Sequence, residues 1–230
     1  PRPDRAGRAP SIGWVTDPTE PLPPEGVIDA ALEAFEAQHP DLPLPHHSVE
    51  PPHELSAIHR FDAIVDGWFD RIRGTEPADR IMYGLSELGD FGLVWILLGF
   101  TRGLRSESDA WAAVKLTGIL GLESVVVNGL VKSQFKRERP VVQDERPHKL
   151  RVPLTTSFPS GHSSSAMLAA MLLTQRSSRP TKVAVFGLGA LVATTRIHVR
   201  IHHASDVVGG VALGLTLGTV ARKVFPLYRR

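Results

Sequence analysis

Three short stretches carry the side chains able to do chemistry: KSQFKRERP (132–140), PSGH (159–162) and TRIHVRIHHASD (195–206). In the first, Lys132 and Arg139 stand seven positions apart, close to two helical turns, so both can share one helix face. In the second, Ser160 and Gly161 precede the apolar run that begins after His162. A loop entering a helix there would present unpaired backbone N–H groups to an anion, and Gly161 would allow close approach. In the third, Arg196, His202 and Asp206 follow at spacings of six and four. Asp206 can fix the His202 tautomer by accepting from one ring nitrogen, leaving the other free as a nucleophile. A single metal held by His198, His202 and Asp206 does not fit, because eight residues of helix rise about 12 Å. Together the clusters offer three permanent cations (Lys132, Arg139, Arg196), one anion-facing helix start, two histidines (His162, His202) and a carboxylate. That inventory suits phosphoryl transfer without a metal or cofactor: guanidinium groups neutralise phosphate oxygens, one histidine attacks and the other protonates the leaving oxygen. The first two clusters alone have plainer readings, as a basic membrane flank and as a helix cap with a satisfied polar histidine.

The elements that must position these groups are helices. Five apolar blocks run over 91–101, 111–131, 163–175, 183–195 and 207–221, the last three rich in Gly and Ala, as close helix contacts in membranes require. Each is short of the ~20 mainly apolar residues of a typical span, and the second contains Lys115 and Glu123, which demand burial among helices. A soluble bundle would also hold such helices; segment number and Gly/Ala content favour a membrane bundle of about five spans. Ahead of them, Ile58, Phe61, Val65, Trp68 and Ile72 mark an amphipathic helix, either core-facing or lying at a membrane interface, with Asp62, Asp66, Asp70 and Arg71 off the stripe. Gly74 and Pro77 punctuate it. The fold class expected is therefore an all-α helical bundle.

Residues 1–53 read as a Pro-rich, partly disordered arm with one short helix at 26–38, and 54–230 as the helical-bundle domain. The 230-residue chain is 42% hydrophobic, with a net charge of +2 and no cysteine. This excludes disulfides and thiolate metal sites and does not mark a nucleic-acid binder.

In order, the three clusters match the signature of the type-2 phosphatidic acid phosphatase family: K-x6-R-P, P-S-G-H and S-R-x5-H-x3-D. The chain resembles that family over 54–224, and its only departure is Thr195, where the pattern has Ser; a hydroxyl is kept. The family also includes bacterial acid phosphatases and vanadium haloperoxidases. The resemblance implies an all-α bundle with the clusters meeting at one end and no metal. It casts His202 as the nucleophile that becomes phosphohistidine, Asp206 as its orienting partner, and His162 as general acid and then base. Lys132, Arg139, Arg196 and the Ser160/Gly161 backbone become the phosphate cradle.

Within that family, an integral membrane phosphatase of a lipid phosphate or pyrophosphate (phosphatidate, phosphatidylglycerol phosphate or a polyprenyl type) is the expectation. An acid phosphatase of soluble substrates and a non-catalytic phospholipid-binding protein are the alternatives. Lys136, Arg137, Arg146, Lys149 and Arg151 crowd the loop after Lys132, to draw anionic headgroups or to flank the membrane. Five spans place all three clusters on the side of residues 1–90, which stays cytoplasmic if no signal sequence operates. The basic segments RSSRPTK and RKVFPLYRR lie opposite and argue the other way. The balance taken here is a cell-membrane protein with its site facing the cytoplasm; oligomeric state does not follow from the sequence.

Overall fold

The computed structural model describes residues 56–142 and 146–228, and within them every regular element is helical. The arm and the helix expected at 26–38 lie outside the described residues. Helix α1 spans Ala57–Asp70, its first turn capped by the Ser56 side chain, which accepts from the His59 N–H. Helix α2, Glu76–Leu88, starts with Pro77 in its first turn, where the missing N–H costs nothing. It ends at Gly89, and a 3₁₀ turn over Asp90–Gly92, with Phe91 and Gly92 at positive φ, redirects the chain into α3, Leu93–Gly103. Ser106 then caps α4, Glu107–Val125, which continues through wider π turns to Val131 and a 3₁₀ turn over Lys132–Gln134. After a long loop come α5 (Gly161–Leu173), α6 (Arg179–His198) and α7 (Ala204–Val224).

Helix α5 is the centre. Ten of its 13 residues are buried, which explains its small and apolar composition and the absence of a polar face. Helix α7 packs closest against it. A Cβ on Gly210 would collide with the Ser160 carbonyl, and one on Gly214 with the Ser164 backbone, so the four-residue glycine spacing sets the helix separation. Trp95, Leu116, Leu120, Leu168, Leu172 and Val192 fill the core around α5.

All five expected apolar blocks are helical, and some of them are candidate membrane spans by length and composition. Among the described residues, two helices are long and apolar enough to cross a membrane, Glu107–Gln134 and Ala204–Val224, and the pair Glu76–Leu88 and Asp90–Gly103, bent by 64°, makes a third if taken as one span. The other two blocks differ for local reasons. Helix α5 has 13 residues, about 20 Å at 1.5 Å per residue, and lies inside the bundle. Helix α6 carries Arg179, Lys182, Arg196 and His198.

Helix α1 does not turn its apolar stripe to the core. Ile58, Phe61 and Trp68 are exposed while Asp62 is buried. Only Val65 and Phe69 reach the cluster formed by Ala193, Ile197, Ala204 and Val207. The inward acid has partners, described next.

Candidate active site

The starts of α5 and α7 and the ends of α4 and α6 meet at one end of the bundle. A cavity of about 320 Å³ there is lined by Lys132, Gly161, His162 and His202 together with Asp90, Glu123, Asn128 and Arg151. All three sequence clusters therefore contribute to one space.

His202 sits in the turn between α6 and α7, whose geometry is fixed by the Arg196 carbonyl accepting from both Ile201 N–H and His202 N–H. Its Nε2 faces Arg139 Nη1 at 3.4 Å. Its Nδ1 lies 3.6 Å from Asp206 Oδ2, longer than a hydrogen bond. The expected direct bond between them is thus open in this state. Ser157 fills the gap, with its Oγ 3.4 Å from His202 Nδ1 and donating to Asp206 Oδ2 at 2.5 Å. Contacts of this kind tighten when substrate is bound. Burial draws the His202 pKa down to about 3, opposed by Asp206 and reinforced by the cations Arg196, Arg139 and Lys132. The ring is neutral at pH 7, as a nucleophile must be.

Asp206 is fully buried and saturated. Besides Ser157 it accepts from His203 N–H at 2.9 Å and from Arg137 Nη1 at 2.7 Å. Arg137 in turn reaches Asp62 Oδ2 at 2.5 Å, and Asp62 Oδ1 accepts from Ser205 N–H at 2.7 Å. The buried acid of α1 is therefore the far end of the chain Asp62–Arg137–Asp206–His202. Sequence reasoning treated Arg137 as a loop cation and Asp62 as a solvent-side acid. Arg137 carried one signal, its place inside the first cluster; Asp62 carried none.

The groups expected to face a phosphate fall into two sets. Arg139 is held by the carbonyls of Thr155, Thr156 and Ile201, and Lys132 Nζ donates to Thr155 Oγ1 at 3.2 Å, so one loop residue braces both cations. Arg196 is fully buried and donates to Ser86 Oγ at 2.5 Å, yet its Nε and Nη2 have no partner among the described residues. The Ser160 backbone corrects an expectation. Its N–H donates to the Asp206 carbonyl and its Oγ caps α5 at Ser163, so Ser160 offers no backbone donor to a ligand. The N–H groups left at the open start of α5 are those of Gly161 and His162.

His162 has a partner the sequence did not reveal. Its Nε2 lies 2.9 Å from Asp90 Oδ1 and 3.2 Å from the Ser86 carbonyl, which leaves Nδ1 without a hydrogen bond among the described residues. Asp90 arrives through the positive-φ turn between α2 and α3. His198, the third member of the rejected metal triad, turns away and pairs with Asp79 at 2.7 Å.

Comparison with known proteins decides the family: residues 112–230 match the PAP2 superfamily. This chain belongs to that superfamily. Among PAP2 relatives, the decaprenylphosphoryl-5-phosphoribose phosphatase of Mycobacterium tuberculosis is 31% identical over 148 residues, 61% of this chain and 77% of that protein. Undecaprenyl-diphosphatase BcrC of Bacillus subtilis is 26% identical over 141 residues, covering 61% and 71%. The fold is that of the transmembrane PAP2-type phosphatidylglycerolphosphate phosphatase from Bacillus subtilis, with a TM-score of 0.56 at 21% identity over 86% of this chain and 94% of that one. The candidate spans of this PAP2 chain fit that transmembrane fold, and the named relatives are phosphatases. Asp62 and Asp90 lie outside the matched segment 112–230, so these two supports come from helices that the match does not reach.

Proposed function

We propose that the chain hydrolyses a lipid phosphate monoester or lipid pyrophosphate, without a metal, through a phosphohistidine at His202. The observation that carries this reading is the cavity itself. It gathers the neutral His202, His162 and the open start of α5 with Lys132; behind its lining, Arg139 lies 3.4 Å from His202, and Arg196 holds two buried N–H-bearing nitrogens unpartnered among the described residues. A buried guanidinium left unsatisfied is costly, and a phosphoryl group would satisfy it in bidentate fashion.

In this reading the phosphoryl oxygens lie against Lys132, Arg139, Arg196 and the Gly161 and His162 N–H groups. His202 Nε2 attacks phosphorus, the bond to the lipid oxygen breaks, and His162 in its protonated form gives that oxygen a proton. His162 then takes a proton from water, which attacks the phosphohistidine and releases inorganic phosphate. Asp206 supports the charge that develops on His202, Arg137 and Asp62 hold Asp206, and Asp90 supports the protonated His162. At about 320 Å³ the cavity accommodates a phosphate and a compact headgroup; the lipid chains would lie outside it. The relatives' decaprenyl and undecaprenyl substrates support a polyprenyl carrier over a diacylglycerol one. The same reading makes residues 54–230 the phosphatase domain and 1–53 an appended arm. It places the protein in the cell membrane with its site at the cytoplasmic face. Because α7 leads away from the site, a reporter fused at the C terminus should then read as external, and a cytoplasmic reading contradicts that sidedness.

The test is phosphate release by detergent-purified protein in EDTA, from polyprenyl phosphate, polyprenyl pyrophosphate, phosphatidate, phosphatidylglycerol phosphate and a soluble aryl phosphate. Release that is lost in His202→Ala supports the reading. Release that persists in that variant rejects the histidine mechanism, and a preference for the aryl phosphate favours the soluble-substrate alternative.

A further inference from the structure

The same end of the bundle holds a second cavity, of about 490 Å³, lined by Arg73, Asp79, Arg146, His148, His198 and Arg200 among others. It has no lining residue in common with the catalytic cavity. We infer that it is a second oxyanion-binding site, taking a phosphate group separate from the one being hydrolysed.

Three observations point to a ligand there. First, Arg146 Nε, Arg200 Nε and His198 Nδ1 are buried nitrogens with no hydrogen-bond partner among the described residues, and all three residues line the cavity. Buried polar atoms in folded proteins are almost always paired, so three unpaired nitrogens around one space describe a missing acceptor. Second, His198 is itself 2% exposed, and its other nitrogen is fixed by Asp79 at 2.7 Å. With Nε2 held by Asp79, Nδ1 is the ring nitrogen left for a ligand. Third, the acids nearby are already committed. Asp79 accepts from His198 and from Gly74 N–H, Glu76 pairs with Arg80, and Asp70 is shared by Arg73 and Arg200. Arg73 and Arg200 are thus each paired with an acid, and Arg146 is the lining arginine with no acid paired to it among the described residues.

The backbone is arranged to present these groups. Arg200 adopts a positive φ of 51°, unusual for a residue with a side chain, directly after α6 ends. Its carbonyl accepts from Arg146 Nη2 at 3.2 Å, which ties the loop after Lys132 to this turn. Arg73 locks the other side, donating to the carbonyls of Ile197 and His198. The turn that carries Arg200 also carries His202 two residues later. An anion bound here would therefore brace the segment that holds the nucleophile. The shared chemistry is a phosphate oxyanion, supplied either by the headgroup of an anionic lipid or by free inorganic phosphate.

The experiment uses the full chain in neutral detergent micelles and two probes, inorganic phosphate and phosphatidylglycerol, whose phosphodiester is no phosphomonoester substrate. Binding is read by calorimetry and thermal shift in wild type, Arg196→Met, Arg146→Gln and the double variant Arg146→Gln/Arg200→Gln. For wild type, a saturable site is expected for at least one probe. Its affinity should fall roughly tenfold or more in Arg146→Gln, as loss of a charge-assisted contact implies, and survive in Arg196→Met. Response to phosphatidylglycerol alone assigns a lipid headgroup, and response to inorganic phosphate alone assigns the free anion. The inference is overturned if neither probe binds beyond the site lost in Arg196→Met, or if Arg146→Gln binds as wild type does. Should the double variant aggregate, Arg146→Gln decides by itself, since Arg146 lies in a loop. Turnover measured beside binding keeps the two proposals apart: loss of the second site with phosphate release retained leaves the catalytic reading intact.

Discussion

The two ends of the bundle both gather arginines, an aspartate and aromatic rings, and they use them differently. At the end away from the site, Arg102 donates to the Leu173 carbonyl at 2.7 Å and pairs with Asp109 at 3.3 Å, while Tyr228 O–H donates to the same Asp109 oxygen at 2.7 Å. Arg102 and Arg176 both stack over the Tyr228 ring. Those groups close on one another. At the site end, Arg196 is more deeply buried yet keeps two nitrogens open, and His202 faces Arg139 rather than an acceptor. Charge and burial alone do not separate the two clusters. What separates them is whether the hydrogen-bonding capacity is used up within the chain: a closed network holds helices together, and an open one awaits a ligand.

Mutation can break that contrast at its strongest point. Asp206→Asn should leave the fold intact and slow turnover on the order of 10⁴-fold, as in other histidine–aspartate pairs; steady-state phosphate release checks it. Next, Arg196→Met should lower kcat/KM by about 10²–10³-fold, the usual loss when one preorganised oxyanion donor is removed. The matched change at the closed end, Arg102→Met, should leave turnover within about twofold and destabilise by roughly 2 kcal/mol, since it removes charged hydrogen bonds. Equal effects on turnover from the two variants would erase the distinction.

Smaller effects sharpen it. His202 has its pKa drawn down to about 3, against about 6.5 for a free imidazole. As pH falls through about 6.5 the unfolded chain gains a proton that the folded chain refuses until about pH 3, so stability is lost across that window. His202→Gln should therefore lose less stability than wild type between pH 6.5 and 3 in detergent thermal unfolding. The acid limb of kcat/KM should likewise not report His202 near 6.5. The smallest effect is expected from Tyr228→Phe, which removes one hydrogen bond worth about 1 kcal/mol and leaves phosphate release unchanged.

The helices and the residues proposed to react are legible because their signals are local. Apolar blocks announce helices, and Lys132, Arg139, His162, Arg196, His202 and Asp206 lie inside short spaced motifs. What escaped depends on contacts between distant parts of the chain. Asp62 reads as an ordinary solvent-side acid until α1 is packed with its exposed stripe outward and its acid against Ser205. Asp90 becomes the partner of His162 only through the turn after α2. The Ser160 N–H, expected to face a phosphate, is taken by the Asp206 carbonyl from α7, a helix brought near by glycines at 210 and 214. Span number is less legible than helix number, because apolar composition does not distinguish a helix buried at the centre of a bundle, as α5 is, from one that faces lipid.

The central claim is covalent chemistry at His202, and the most direct measurement is a rapid alkaline quench of turnover on a ³²P-labelled lipid phosphate, followed by peptide mapping. The account predicts acid-labile, alkali-stable label on the peptide containing His202 in wild type, and none in His202→Ala. Label on another residue, or undiminished phosphate release by His202→Ala, would contradict it.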